Sequence, residues 1–206
     1  MKYSVIEKYL DELIPNQSCE LNYDSDYTLL IAIVLSAQTT DKKVNQVTKI
    51  LFSEYPNLEA LMNASLKRLK EIIHPLGNFN KKAEYVRDIA TKLHLDFNDK
   101  VPIDEDILMS FSGVGRKTIN VFFSEFMSIP RIAVDTHVKR VSNRLGLCES
   151  DDPLKIEKEL MKNIKEENWS RRHLQLVLFG RYHCKAIKPE CLNCKLVEFC
   201  NYQKLK

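Results

Sequence analysis

The chain is 206 residues long, 44% apolar and 29% charged, enough to bury a core of ordinary size as one domain or two small ones. Its longest apolar stretch, YTLLIAIVLSA (27–37), is too short to span a bilayer and reads as a buried helix, which excludes a membrane-spanning class. The formal net charge of +3 divides into −4 over residues 1–110 and +7 over residues 111–206, so the second half is either a site for a polyanion, nucleic acid first, or a solvated basic surface.

In chain order, MKYSVIEKYLDELIP carries charges at helical spacing and reads as an amphipathic helix rather than a signal peptide, so a cytoplasmic protein is expected. Ile6, Tyr9, Leu10 and Leu13 share one face, and Pro15 ends it. Ser25 and Asp26 can cap the apolar helix that follows. Val44, Val47 and Leu51 mark the next, ending before Pro56. Ser65 can cap a helix holding Leu66, Leu69, Ile72 and Ile73, stopped by Pro75 and Gly77. Asn80 precedes another, lined by Ala83, Val86, Ala90 and Leu93. After the loop NDKVPID comes a short helix ending at Phe111, then a helix from about Arg116. Asp152 and Pro153 supply a cap and a first-turn proline for a helix with Ile156, Leu160 and Ile164. Residues 171–183 look like the last helix. No strand-period segment, strong internal repeat or low-complexity tract is evident, so the fold class is all-α.

Three constellations carry chemistry. FSGVGRKTINVFF (111–123) spends two of the chain's five glycines beside Arg116 and Lys117. Gly113-Val114-Gly115 between two helices predicts a tight hairpin with bare amides, which with the next helix N-terminus would receive a phosphate oxygen. A turn without a ligand is the equal alternative. A nucleotide P-loop fails because Arg116 separates Gly115 from Lys117, and the dinucleotide fingerprint fails at Thr118. Four of the six cysteines, Cys184-x6-Cys191-x2-Cys194-x5-Cys200, crowd into the last 23 residues. That grouping indicates a metal in a reduced compartment, either zinc or an iron–sulfur cluster; Cys19 and Cys148 read as inert thiols. In IAVDTHVKRVSNR (132–144), Asp135 is placed to cap a basic helix, and any further role needs a partner across a cleft.

The order LSAQTTD (35–41), GVGRKT (113–118), AVDTH (133–137), FGRYHC (179–184) and the cysteine tail resembles the endonuclease III family, over residues from about 20 to 200. These are helix-hairpin-helix DNA glycosylases with an associated AP lyase activity. The cysteine spacing is similar to the iron–sulfur branch, and Lys117 with Asp135 resembles its lyase members. The adenine-glycosylase branch usually lacks that lysine and carries an extra C-terminal domain, for which 206 residues leave no room.

The resemblance implies a two-lobed fold: a six-helix barrel over residues 21–129, with the hairpin at about 104–123, and a helical cluster domain from residues 1–20 and 130–206. It implies a monomer acting on double-stranded DNA with damaged bases or abasic sites, removing oxidised pyrimidines in base-excision repair. Lys117 would attack the sugar C1′ as a neutral amine, with desolvation the expected agent of its deprotonation, and Asp135 would stabilise the developing charge. Gln38 would fill the space left by the flipped nucleotide. Gly113, Val114, Gly115, Arg116, Thr118 and His137 would join it at the DNA. Cys184, Cys191, Cys194 and Cys200 would hold a [4Fe-4S] cluster shaping a loop whose Lys185 and Lys188 meet the DNA backbone. Three positions depart from the family pattern. Ser112 replaces the usual proline before the glycines, which predicts a less rigid turn. Asn78-Phe79 stands where Leu-Tyr is common, near the lesion wedge, and Lys139 occupies an often aromatic position.

Overall fold

The computed structural model describes residues 2–204, with side chains through residue 203. Among them there is no strand. The helices are α1 (Lys2–Leu13), α2 (Asp26–Leu35), α3 (Asp41–Glu54), α4 (Leu58–Met62), α5 (Leu66–Ile73), α6 (Phe79–Asp96), α7 (Glu105–Met109), α8 (Arg116–Glu125), α9 (Thr136–Arg144), α10 (Pro153–Asn163), α11 (Trp169–Tyr182) and α12 (Asn201–Lys204). The caps read from the sequence form as expected. Ser25 accepts from the Thr28 amide in a reciprocal capping box, Ser65 from Arg68, and Asp152 from Leu154 ahead of the first-turn Pro153. Two local readings shift. Asn80 lies inside α6, whose N-cap is the left-handed Asn78, and α11 is not the last helix, since the short α12 follows it. The short α4, capped by Asn57, has too few turns to show a period. No helix among the described residues is long and apolar enough to cross a membrane.

The chain divides into two compact units, residues 19–122 and residues 1–18 with 123–206, the division falling within α8. In the first unit α2 is buried on every side, from Leu29 to Leu35, as an all-round apolar helix must be. Helices α2, α4 and α5 pack on α6, which presents Ala83, Val86, Ile89, Ala90 and Leu93. The loop after α6 closes back on α2, where the buried Asp26 accepts the Val101 amide at 3.0 Å.

The second unit joins the chain's two ends. Ile6 and Leu10 of α1 enter a core with Ile132, Val138, Val141, Ile156, Leu160, Leu176 and Phe179. Arg172 of α11, 6% exposed, donates to Asp11 at 2.6 and 2.9 Å and to Glu7 at 3.1 Å. Helix α9 packs on α11 at Gly180, where a Cβ would come within 2.9 Å of the His137 Cβ and 3.1 Å of Val141.

Candidate functional site

The hairpin is held from below by α6. Gly113 has φ +78°, and a Cβ there would lie 2.9 Å from two ring atoms of Tyr85, so both backbone and packing require glycine. Gly115 differs: a Cβ there meets nothing within 4 Å. Its bareness serves no internal packing and leaves room for something that approaches from outside.

Ser112 donates its amide to Asp88 at 3.1 Å, a bond that proline, lacking an N–H, could not make. Burial acts to raise the Asp88 pKa, but the Ser112 bonds and neighbouring Lys92 bring it below the usual carboxylate value. Lys92 also donates to the Ser110 carbonyl at 2.8 Å and lies over the Phe111 ring. In place of a proline ring, the turn has a hydrogen bond to α6 at this position.

Within the turn, the Val114 amide donates to Phe111 and its side chain is buried. Val114 thus anchors the hairpin, and Thr118, also buried, can offer an anion only its backbone. Helix α8 begins directly after Gly115, with Arg116 and Lys117 in its first turn. Arg116 and Lys117 are exposed. The protein alone does not bury Lys117, so any desolvation it receives must come with its ligand.

Asp135 caps α9 as read, accepting the His137 and Val138 amides at 2.8 Å each. Both bonds end on Oδ1, so capping does not engage Oδ2. Burial pulls the pKa of the adjacent His137 below its usual value, against the Asp135 charge that raises it. Burial thus disfavours the imidazolium form of His137 beside the Asp135 carboxylate. Lys117 belongs to the first unit and Asp135 to the second.

Gln38 is exposed and left-handed, φ 57°, and so is Asn78, φ 56°. For a glutamine such a conformation costs about 1–2 kcal/mol and persists where the surroundings impose it, whereas asparagine adopts it readily. Phe79, beside Asn78, packs on His74 with ring centroids 4.7 Å apart. Lys82 was not singled out by sequence reasoning. It is 3% exposed and donates from Nζ to the Ala37 carbonyl at 2.7 Å. Its signal was available as a lone cation on the apolar stripe 83, 86, 90, 93, one helical step from Ala83 and Val86.

Cys184, Cys191, Cys194 and Cys200 line one cavity of about 270 Å³ with Tyr9, Leu13, Leu145 and Phe179. Burial pushes the Cys194 thiol up, and the nearby Cys184, Cys200 and Cys191 sulfurs act in the same direction. Among the described residues no three His, Cys, Asp or Glu side chains are gathered at the spacing of a single metal ion. Two arginines of α9 grip this loop. Arg140 donates to the Gly180 and Cys184 carbonyls at 2.7 and 3.1 Å. Arg144 donates to Cys184 Sγ at 3.4 Å and the Lys185 carbonyl at 2.7 Å, under the Tyr202 ring. Lys185 pairs with Glu190 at 2.7 Å, whereas Lys188 is exposed with φ 50°. Lys139 pairs with the exposed Asp151 at 2.8 Å.

Residues 31–166 match the HhH-GPD superfamily base excision DNA repair protein family. The chain is 42% identical to endonuclease III of Bacillus subtilis over 192 residues, 93% of this chain and 88% of that protein. It is 43% identical to endonuclease III of Rickettsia conorii over 188 residues, 91% of this chain and 90% of that protein. A solved structure of a trapped endonuclease III–DNA covalent intermediate, an estranged-adenine complex, superposes with a TM-score of 0.94 at 43% identity, covering 100% of this chain and 98% of that one.

Proposed function

The chain belongs to the endonuclease III family, within the HhH-GPD superfamily of base excision DNA repair proteins, and from that premise we propose how its residues carry out the reaction. It is a DNA glycosylase with an associated AP lyase activity. Its substrates are oxidised pyrimidines in double-stranded DNA, and it works as a monomer on the chromosome, in the cytoplasm.

A base inside a duplex is out of reach, so the nucleotide is flipped out, and Gln38 fills the gap. The first turn of α8 and the open Gly115 hold the phosphodiester backbone. The Lys117 amine attacks C1′, and the glycosidic bond breaks with its electron pair leaving on the base. Opening of the sugar ring gives an iminium (Schiff base) between Lys117 and C1′. Loss of a C2′ proton and expulsion of the 3′ phosphate then cut the strand on the 3′ side. Asp135 Oδ2, not engaged by the cap, stabilises positive charge developing at C1′ and relays protons.

The four cysteines fit a [4Fe-4S] cluster. They share one cavity several times the ~30 Å³ of a water molecule, and Arg144 points a donor at Cys184 Sγ, as a coordinating thiolate invites. When bound, the cluster would supply cross-linking of residues 184–200, which carry Lys188 on their surface, rather than a reaction step.

The observation that carries the reading is an exposed lysine one residue into α8, behind a glycine whose missing Cβ faces open space. Borohydride added during turnover on duplexes bearing different oxidised and abasic lesions tests it. Wild type should give a covalent protein–DNA adduct, and Lys117→Gln should bind abasic DNA without one. An adduct formed by Lys117→Gln at the wild-type rate would show that another amine reacts.

A further inference from the structure

One buried cation has no part in the chemistry above. Lys82 lies among Ala83, Val86 and Ile89 on the packed face of α6, where burial pulls its pKa below the usual lysine value. An apolar side chain of similar length would fill this place without the cost of stowing an ammonium. What the lysine adds is a donor at a particular peptide. Its Nζ bonds the Ala37 carbonyl at 2.7 Å, and that carbonyl belongs to the peptide unit whose nitrogen is Gln38's. The orientation of this unit sets the left-handed φ of 57° at Gln38. The backbone amide of Lys82 makes the ordinary helical bond to the Asn78 carbonyl at 3.1 Å, which any residue but proline would make, so the contribution of the side chain is the bond to Ala37. A lysine that only satisfied a carbonyl beyond the C-terminus of α2 would stabilise the fold and nothing more.

We propose that Lys82 is a positioning residue: by tying the Ala37–Gln38 peptide to the first turn of α6, it holds Gln38 ready to enter the duplex as the target nucleotide leaves. This rests on the repair reading above and names the residue that prepares its flipping step. Lys82 touches neither base nor sugar. It acts through Gln38, so its effect should disappear when Gln38 has no side chain to place.

The test uses Lys82→Met in wild-type and Gln38→Ala backgrounds, in the full chain. Single-turnover excision of thymine glycol, fluorescence of a 2-aminopurine beside the lesion, affinity for undamaged duplex and the melting temperature are read together. Lys82→Met should slow excision about tenfold to a hundredfold, the scale of a misplaced group near a reacting centre. The 2-aminopurine signal should fall with it, while melting temperature and undamaged-duplex affinity stay unchanged. In Gln38→Ala the same substitution should change excision by less than about twofold, since residues acting as one unit are non-additive. An undiminished loss in the Gln38→Ala background overturns the proposal, as does a folded Lys82→Met with wild-type excision. So does a loss in which melting temperature and every DNA affinity fall alike. If Lys82→Met does not fold, Lys82→Gln, whose amide ends short of the reach of Nζ, takes its place: it should slow excision and lower the 2-aminopurine signal, and the loss should vanish in Gln38→Ala; a folded Lys82→Gln with wild-type excision, or with an undiminished loss in Gln38→Ala, overturns the proposal. Wild-type protein that neither traps nor excises on any lesion duplex would instead sink the repair reading and take this inference with it.

Discussion

At Asp135 the amides of His137 and Val138 both donate to Oδ1, an arrangement that an asparagine carbonyl oxygen can reproduce, because both residues are good N-caps. The exchange therefore separates the structural work of the side chain from its charge. Asp135→Asn should leave the melting temperature and DNA affinity where they are. It should slow base excision by about a hundredfold or more, the loss expected when a preorganised charge facing the transition state is removed. Trapping on a pre-formed abasic site should survive in part, since no base has to leave. A matching fall in melting temperature and excision would mean that the aspartate is only a cap.

At the scale of the hairpin, its two glycines have different reasons. Gly113 is required from within, by φ +78° and the Tyr85 ring, while nothing in the fold crowds Gly115. Gly113→Ala should lower stability by at least the ~1–2 kcal/mol of a left-handed L-residue. Gly115→Asp should leave the melting curve nearly unchanged and weaken binding to any duplex, damaged or not, by about tenfold or more, because it puts a negative charge where the DNA backbone is proposed to sit. Thermal melts and binding isotherms at fixed salt check the pair. A large melting shift for Gly115→Asp with intact binding would make the hairpin an ordinary turn. Tyr85 and Asp88 beneath it belong to α6, as do Lys82 and Asn78 at its start. One helix thus holds both the hairpin and the peptide before Gln38.

On the scale of the whole molecule, α1 is tied to α11 by Arg172, which accounts for how two distant stretches of chain make one unit. Hydrogen bonds from Arg172 hold the Asp11 pKa at about 2, against burial that would raise it. A depressed carboxylate stabilises the fold above its unfolded value of 3.8 and loses that contribution as pH falls through about 2. Asp11→Asn should therefore melt below wild type by a constant margin from pH 5 to pH 8, and the margin should shrink between about pH 4 and pH 2. Paired melts across that range measure it. A margin unchanged at pH 2 would show that Asp11 contributes through packing rather than charge.

The sequence by itself determined the all-helical class, the caps at Ser25, Ser65, Asp135 and Asp152, and the family, because each rests on residues within a turn or two of one another or on motif order. Periodicity and capping are local, and so is the spacing of four cysteines. Only the tertiary structure decided which polar groups far apart in the chain meet. Lys82 meets Ala37 across 45 positions, Ser112 meets Asp88 across 24, and Arg172 meets Asp11 across 161. No helical period encodes such pairings. They form where the packing of helices brings a polar group and a partner together from distant parts of the chain.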